Sequence, residues 1–282
     1  PAGTLASTLA SNIDNLNVPY GMANQNGYRY SGEYYDIDNW ICFGSTETTC
    51  PQNNLYRIIG VFNLDGVYKY KLIKADYATT ADAGTPYNTI AINSTYPGYT
   101  KQSTINRYQW DSANKNTWST ASLNTLLNNT YLTNLGTTWS NKIATSTYYV
   151  SGYNTSSANS ATFYTAESTG TTWSGKVGLM YVSDYGYGAT SNYWTTYLVS
   201  YSGEAYLHDW LYNGGYLEWT ISPNSSNSSY VFDLNYGGYV GSVDSDFAGF
   251  VCAFRPVFYL NSDVALSGGT GAYATPYTIS VS

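Results

Sequence analysis

The chain has one histidine, His208, and it stands beside Asp209 in the run YLHDW. A His–Asp pair can act as the base of an acyl-transfer site. That chemistry needs a nucleophile on a strained turn, and no GxSxG segment is present. Neighbouring side chains on a strand also point to opposite faces, so these two are not expected to form a dyad. Glu204, Asp209, Glu218, Asp244 and Asp246 are carboxylates of the kind used in glycoside hydrolysis, but nothing in their spacing selects an acid and a base. Glu218, between Leu217 and Trp219, reads better as a half-buried carboxylate bonded to backbone or to Arg255. Asp244 and Asp246, in GSVDSDFAG, offer oxygen ligands for a structural calcium ion, without the twelve-residue EF-hand pattern. No CxxC pair and no Cys/His cluster exists, so zinc is not expected. The expectation is no enzyme, and no cofactor beyond that calcium.

The residue types point instead to a surface. Between Lys176 and Arg255 there is no lysine or arginine, and thirty of the fifty residues in 201–250 are Tyr, Ser, Gly, Asn or Asp. Tyr and Trp give large amphipathic contact area at low entropy cost, and Ser, Gly and Asn give adaptable hydrogen bonding. The expected ligand-binding face is Tyr206, His208, Trp210, Tyr212, Tyr216, Tyr230, Tyr236 and Tyr239. Alternation within strands turns part of this set toward the core.

The elements that position such a face are legible in outline. The 282 residues suffice for one large domain. Leu5, Leu9, Ile13 and Leu16 lie on one helical face, so residues 1–17 are read as an N-terminal helix and 18–282 as the domain proper. Leu55–Phe62 and Val67–Lys74 read as strands joined by a hairpin turn at Asp65-Gly66. In the second of these, Lys69 and Lys71 alternate with Tyr68, Tyr70 and Leu72, which predicts one wet face. Residues 76–117 read as polar loop. Helices are expected near Ser119–Asn128 and Thr130–Ile143, strands at Thr145–Val150 and Lys176–Ser183, and a Ser/Thr/Asn surface loop over 151–174 between them. Ser183–Gly188 reads as a tight turn. Further strands are expected at Tyr216–Ile221, Tyr230–Asn235, Val251–Leu260 and Tyr273–Ser282. Val251–Leu260 is the most apolar run and should be buried, with Arg255 reaching a carboxylate such as Glu218.

Composition narrows the setting. Only 10% of residues are charged and the net charge is −7, against about 25% charged in an ordinary globular protein. No basic stripe exists to neutralise phosphates, which argues against nucleic acid and against anionic lipid. No stretch is long and apolar enough to insert in a membrane. Cys42 and Cys50 bracket a short polar loop, CFGSTETTC. A disulfide there closes a hairpin-sized ring and fits an oxidising compartment, while two free thiols on neighbouring strands are the alternative. Cys252 reads as a small buried hydrophobe. The chain begins at Pro1, so any export signal or anchor is expected upstream.

Four longer segments carry a resemblance: CFGS…CPQNNLYRIIGVF (Cys42–Phe62), KVGLMYVSDYGYGA (Lys176–Ala189), YLEWTIS (Tyr216–Ser222) and FRPVFYLNSDVALSGGTGAYATPYTI (Phe254–Ile279). Together they resemble a family of exported bacterial proteins, mostly of Gram-positive gut bacteria and their phages, whose domain is of unknown function. That domain is similar to the C-type-lectin fold in its formylglycine-generating-enzyme-like branch, which includes the variable proteins of diversity-generating retroelements. The resemblance implies an α+β, C-type-lectin-like fold, with two helices packed on a twisted antiparallel sheet with long loops. It implies a ligand face in the irregular part before the last strand, here about Tyr201–Phe254. The enzymes of that branch work through cysteines near the C-terminus. This chain has only Cys252 there, in an apolar run. Many family members carry a pilin-like helix ahead of the domain, and Leu5–Leu16 would be the end of such a stalk.

The resulting expectation is an extracellular, cell-surface, adhesin-like recognition protein. Its partner would be a host or bacterial surface protein or a glycan. The alternatives are a self-assembling subunit of a surface filament (pilus) and a phage receptor-binding protein.

Overall fold

Asp65 and Gly66 both take positive φ, 54° and 82°, which is what a two-residue hairpin between right-twisted strands demands. The turn joins Leu55–Leu64 to Val67–Lys74, the two longest strands. The computed structural model describes residues 28–34, 37–85, 88–91, 104–201, 208–244 and 251–281. The N-terminal helix expected over residues 1–17 lies outside them, as do Glu204, Tyr206 and Asp246.

This hairpin is the centre of a six-stranded antiparallel sheet. Tyr28–Arg29 and Trp40–Cys42 pair with its first strand, Val257–Tyr259 with its second, and Val177–Gly178 closes the far side. The register slips between Ile58 and Gly60, and a Cβ at Gly60 would collide with the Tyr28 carbonyl. Glycine is therefore needed where the two backbones meet. A three-stranded sheet, Glu218–Pro223, Tyr230–Leu234 and Val240–Asp244, is stitched alongside by Trp219 N–H to Ala253 O (3.0 Å) and Ala253 N–H to Leu217 O (2.9 Å). The architecture is α+β, mostly antiparallel sheet with short helices.

One carboxylate ties the layers together. Asp184 accepts from Arg29 Nη1 (2.5 Å), Lys71 Nζ (2.5 Å) and the Tyr181 amide (2.9 Å), and all three side chains of the ion cluster are buried. The amide bond caps the helix Val182–Gly188, where a tight turn was expected. Burial works to raise the Asp184 carboxyl, but Lys71 and Arg29 outweigh it and hold it below its ordinary value. Burial drives Lys71 down to about 8, against the pull of Asp184, and its ammonium lies 3.5 Å from the Tyr181 ring centre. The wet strand face expected from Lys69 and Lys71 is thus corrected. Lys71 is fully buried, because a counter-charge from a distant segment meets it.

Other expectations are corrected by structure that lacks an apolar stripe. The supposed loop 151–174 holds a helix, Ser160–Ser168, capped by Asn159 through the Thr162 amide, and a strand, Thr172–Gly175. Polar residues 76–117 contain the paired strands Asn88–Ala91 and Thr104–Arg107. Lys176–Ser183 is strand only at Val177–Gly178. The two helices expected on either side of residue 129 are one run, Ser122–Thr125, Leu126–Tyr131 and Leu132–Leu135, whose middle portion is a π-helix. Leu123, Leu127 and Tyr131 all reach the core from it. Val251–Leu260 is buried throughout, although only Val257–Tyr259 is regular strand, and Arg255 Nε meets Glu218 Oε1 at 2.6 Å as expected. Cys42 and Cys50 form the disulfide, with Cα atoms 5.7 Å apart, and Cys252 is a buried thiol.

Two stability measurements follow from these bonds. Asp184→Ala removes the buried carboxylate that Arg29 and Lys71 share and should cost about 3–5 kcal/mol in urea unfolding; a loss under about 1 kcal/mol would contradict the central role of Asp184. The double change Cys42→Ser, Cys50→Ser opens a small ring and should cost about 2–3 kcal/mol by the same assay.

Candidate functional site

Most of the described part of the Tyr-rich strip is core. Of the eight side chains expected on the ligand face, His208, Trp210 and Tyr212 are buried, at 5%, 1% and 4% exposure. They cannot offer exposed ring area, and their assignment to the ligand face is corrected. Tyr216 and Tyr230 are half-buried, Tyr236 and Tyr239 are exposed, and Tyr206 lies outside the described residues.

The physical reason is that irregular chain leaves carbonyls without ladder partners, and each must find a donor. Here the core rings supply the donors from their polar tips. The Trp210 indole donates to Tyr30 O (2.9 Å), and the Tyr212 hydroxyl to Tyr236 O. The Tyr77 hydroxyl donates to Gly214 O (2.9 Å) and Tyr216 O (3.0 Å), and that of Tyr185 to Gly238 O (2.5 Å). Trp219 and Trp110 serve Tyr108 O (2.8 Å) and Thr220 O (2.9 Å) in the same way. A core of amphipathic rings thus holds loops that have little regular structure of their own.

A smaller aromatic face survives at one end of the three-stranded sheet. Tyr236 (52% exposed) and Tyr239 (36%) sit on the turn between Tyr230–Leu234 and Val240–Asp244. The Tyr236 ring meets Tyr216 edge-on, with centroids 5.9 Å apart. Arg107 stacks over Tyr216 at 5.2 Å from its centroid and donates to its hydroxyl. The Leu198–Ser200 turn packs against the strand Val240–Asp244, and Tyr197 and Val199 at that turn are exposed. The face therefore contains a cation, contrary to the base-free surface expected from the strip. Arg107 comes from a strand more than a hundred residues away from Tyr216 in sequence, and no local spacing announces that pairing.

The candidate catalytic groups are held apart. His208 lies flat on Tyr193, centroids 3.7 Å apart, with Tyr201 edge-on at 5.1 Å. Burial lowers its pKa. Asp209 accepts from the Leu211 amide (2.9 Å), and burial raises its carboxyl well above the ordinary range. No hydrogen bond or ion pair joins His208 to Asp209 among the described residues. Asp244 ends its strand opposite Tyr230. Among the described residues no group of three or more His, Cys, Asp or Glu side chains is arranged to hold a metal ion, and no helix is long and apolar enough to cross a membrane.

Asp233 is the least satisfied acid beside the site. It is 1% exposed, neither carboxylate oxygen has a hydrogen-bond partner, and it abuts Gly241, where a Cβ would stand 3.0 Å from Oδ1. Burial pushes it up to about 7. No family model, no curated protein and no solved structure matches the chain.

The raised Asp233 carboxyl sets a sign for pH dependence. Between about pH 4 and 7 the folded state holds a proton that the unfolded state has released, so stability falls as pH rises through this window. Asp233→Asn should remove that decline, roughly 4 kcal/mol at most, in urea titrations at pH 4 and pH 8. An unchanged slope would show that Asp233 does not titrate there.

Proposed function

We propose that this chain is an extracellular recognition protein that engages a surface partner through the face formed by Tyr197, Val199, Tyr216, Tyr236 and Tyr239 with Arg107. The observation that carries this reading is a clustering. Seven large apolar side chains are exposed among the described residues, and four of them lie on the two segments beside the strand Val240–Asp244: Tyr236 and Tyr239 on the turn before it, Tyr197 and Val199 at the Leu198–Ser200 turn that packs against it. Apart from Tyr68 and Tyr273, the other described rings are buried or half-buried, so two tyrosines left in water on one turn mark a contact surface. Tyr, Trp and Arg are the side chains that dominate binding energy at interfaces. The disulfide and the low charge fit an oxidising, extracytoplasmic setting. The mostly antiparallel sheets with few short helices support the α+β part of the lectin-like arrangement that the resemblance implies, and we adopt that arrangement and its ligand region as part of the proposal.

The test compares the protein with a Tyr197→Ala, Tyr236→Ala, Tyr239→Ala variant. Binding to intact epithelial and bacterial cells is read by flow cytometry, and self-association by analytical ultracentrifugation. The variant should fold and lose at least tenfold in cell binding, since anchors of this kind are worth about 2 kcal/mol each. Wild-type cell binding that the variant retains would refute the proposal. Concentration-dependent self-association abolished by the same changes would replace the adhesin reading with that of a filament subunit.

A further inference from the structure

The opposite end of the strand Tyr230–Leu234 carries a different surface. There the turn 224–229 meets three other segments, 116–119, 150–152 and 171–173, around a cleft of about 600 Å³. That volume is typical of small-molecule sites. The strand's five residues, at about 3.3 Å each, separate the cleft from the Tyr236 face.

Hydrogen bonds fix the cleft walls. The Asn116 amide is shared among the carbonyls of Asn224 (3.0 Å), Asn227 (2.8 Å) and Tyr230 (2.9 Å), and the Asn116 backbone N–H donates to Ser228 O (2.9 Å). Ser225 N–H bonds Tyr153 O (2.9 Å), and Ser226 Oγ bonds Asn154 O (3.0 Å). Gly152 lies so close to Pro223 that a Cβ would collide with its carbonyl. A site held this way loses little freedom when a ligand enters.

The chemistry of the lining is specific. Not one charged side chain lines the cleft. Thr117, Ser119, Thr172, Ser225 and Ser228 are exposed, and their hydroxyls make no hydrogen bond among the described residues. Trp173 is half-buried at the wall, braced edge-on by Trp118 with centroids 6.1 Å apart. An ionic ligand would find no counter-charge here. An apolar ligand would strip water from the hydroxyls and give nothing back. A ligand with both an apolar C–H face and a dense set of neutral hydroxyls satisfies the indole and the Ser/Thr rim together.

We propose that this cleft is a binding site for neutral oligosaccharides, distinct from the Tyr236 face and independent of it. Peptide ligands are disfavoured because Trp173 is the only large ring partly exposed in the cleft and no further apolar subpocket accompanies it.

The experiment uses the whole chain on an array of uncharged glucans, mannans, galactans and chitooligosaccharides, with sialylated and sulfated glycans alongside, followed by titration calorimetry on the best neutral hit. Trp173→Ala should weaken that hit at least tenfold. Because Trp173 also packs against Tyr148, the rim changes Ser225→Lys and Thr117→Arg, both at exposed positions, provide variants that keep the fold and should weaken it similarly. Tyr68→Ala, on the exposed hairpin, should bind as the wild type does. The proposal is overturned if no neutral glycan binds, if acidic glycans are preferred, or if a neutral hit survives all three cleft changes. It is also overturned if such a hit is lost only in the Tyr197, Tyr236, Tyr239 variant, which would move glycan binding to the other face.

Discussion

A single carboxylate, Asp184, is the constraint on which the rest of the structure depends. It neutralises Arg29 from one strand and Lys71 from another, and it caps the helix Val182–Gly188 that carries it. Charges this deep cost several kcal/mol each to remove from water, and only close pairing with further hydrogen bonds offsets that cost. The arrangement is therefore less a source of net stability than a demand for one geometry. The three segments fold with this alignment or leave a charge stranded.

A second buried pair, Arg255 with Glu218, works the same way between the two sheets. Its guanidinium also donates to Leu211 O at 2.7 Å, which fixes the irregular chain entering the three-stranded sheet. Arg57 adds rings to the theme, since its guanidinium lies 4.6 Å from the Trp40 and Trp210 ring centres. Its Nε donates to Asn39 Oδ1 at 2.7 Å. A chain poor in charge thus spends several of its few cations inside, as clamps between segments remote in sequence.

What could be read from the sequence follows from which signals are local. The Asp65-Gly66 hairpin, the Cys42–Cys50 bridge and the Arg255–Glu218 pair rest on short spacings or on one apolar run with one charge in it, and all are present. The helix Ser160–Ser168 was not legible, because only its Asn159 cap and the ring pair Phe163 and Tyr164 distinguish it from its Ser/Thr surroundings. Lys71 looked solvated because its counter-ion lies 113 positions away. The ligand strip was misjudged for a different reason. Tyr, Asn and Gly read as surface chemistry in the sequence, yet Tyr and Trp make a core wherever loop carbonyls wait for donors. Among the described tyrosines of the strip, Tyr236 and Tyr239 are the ones left exposed.

The bonds that the buried rings give to this chain end on main-chain oxygens: those of Tyr30, Gly214, Tyr216, Tyr236 and Gly238. Every amino acid carries that oxygen. A substitution at Tyr216 or Tyr236 changes what the loop displays without removing the atom that anchors it. The attachment of this chain is therefore independent of the side chains at Tyr216 and Tyr236, and a change at either position leaves the buried ring donors and the path they fix in place.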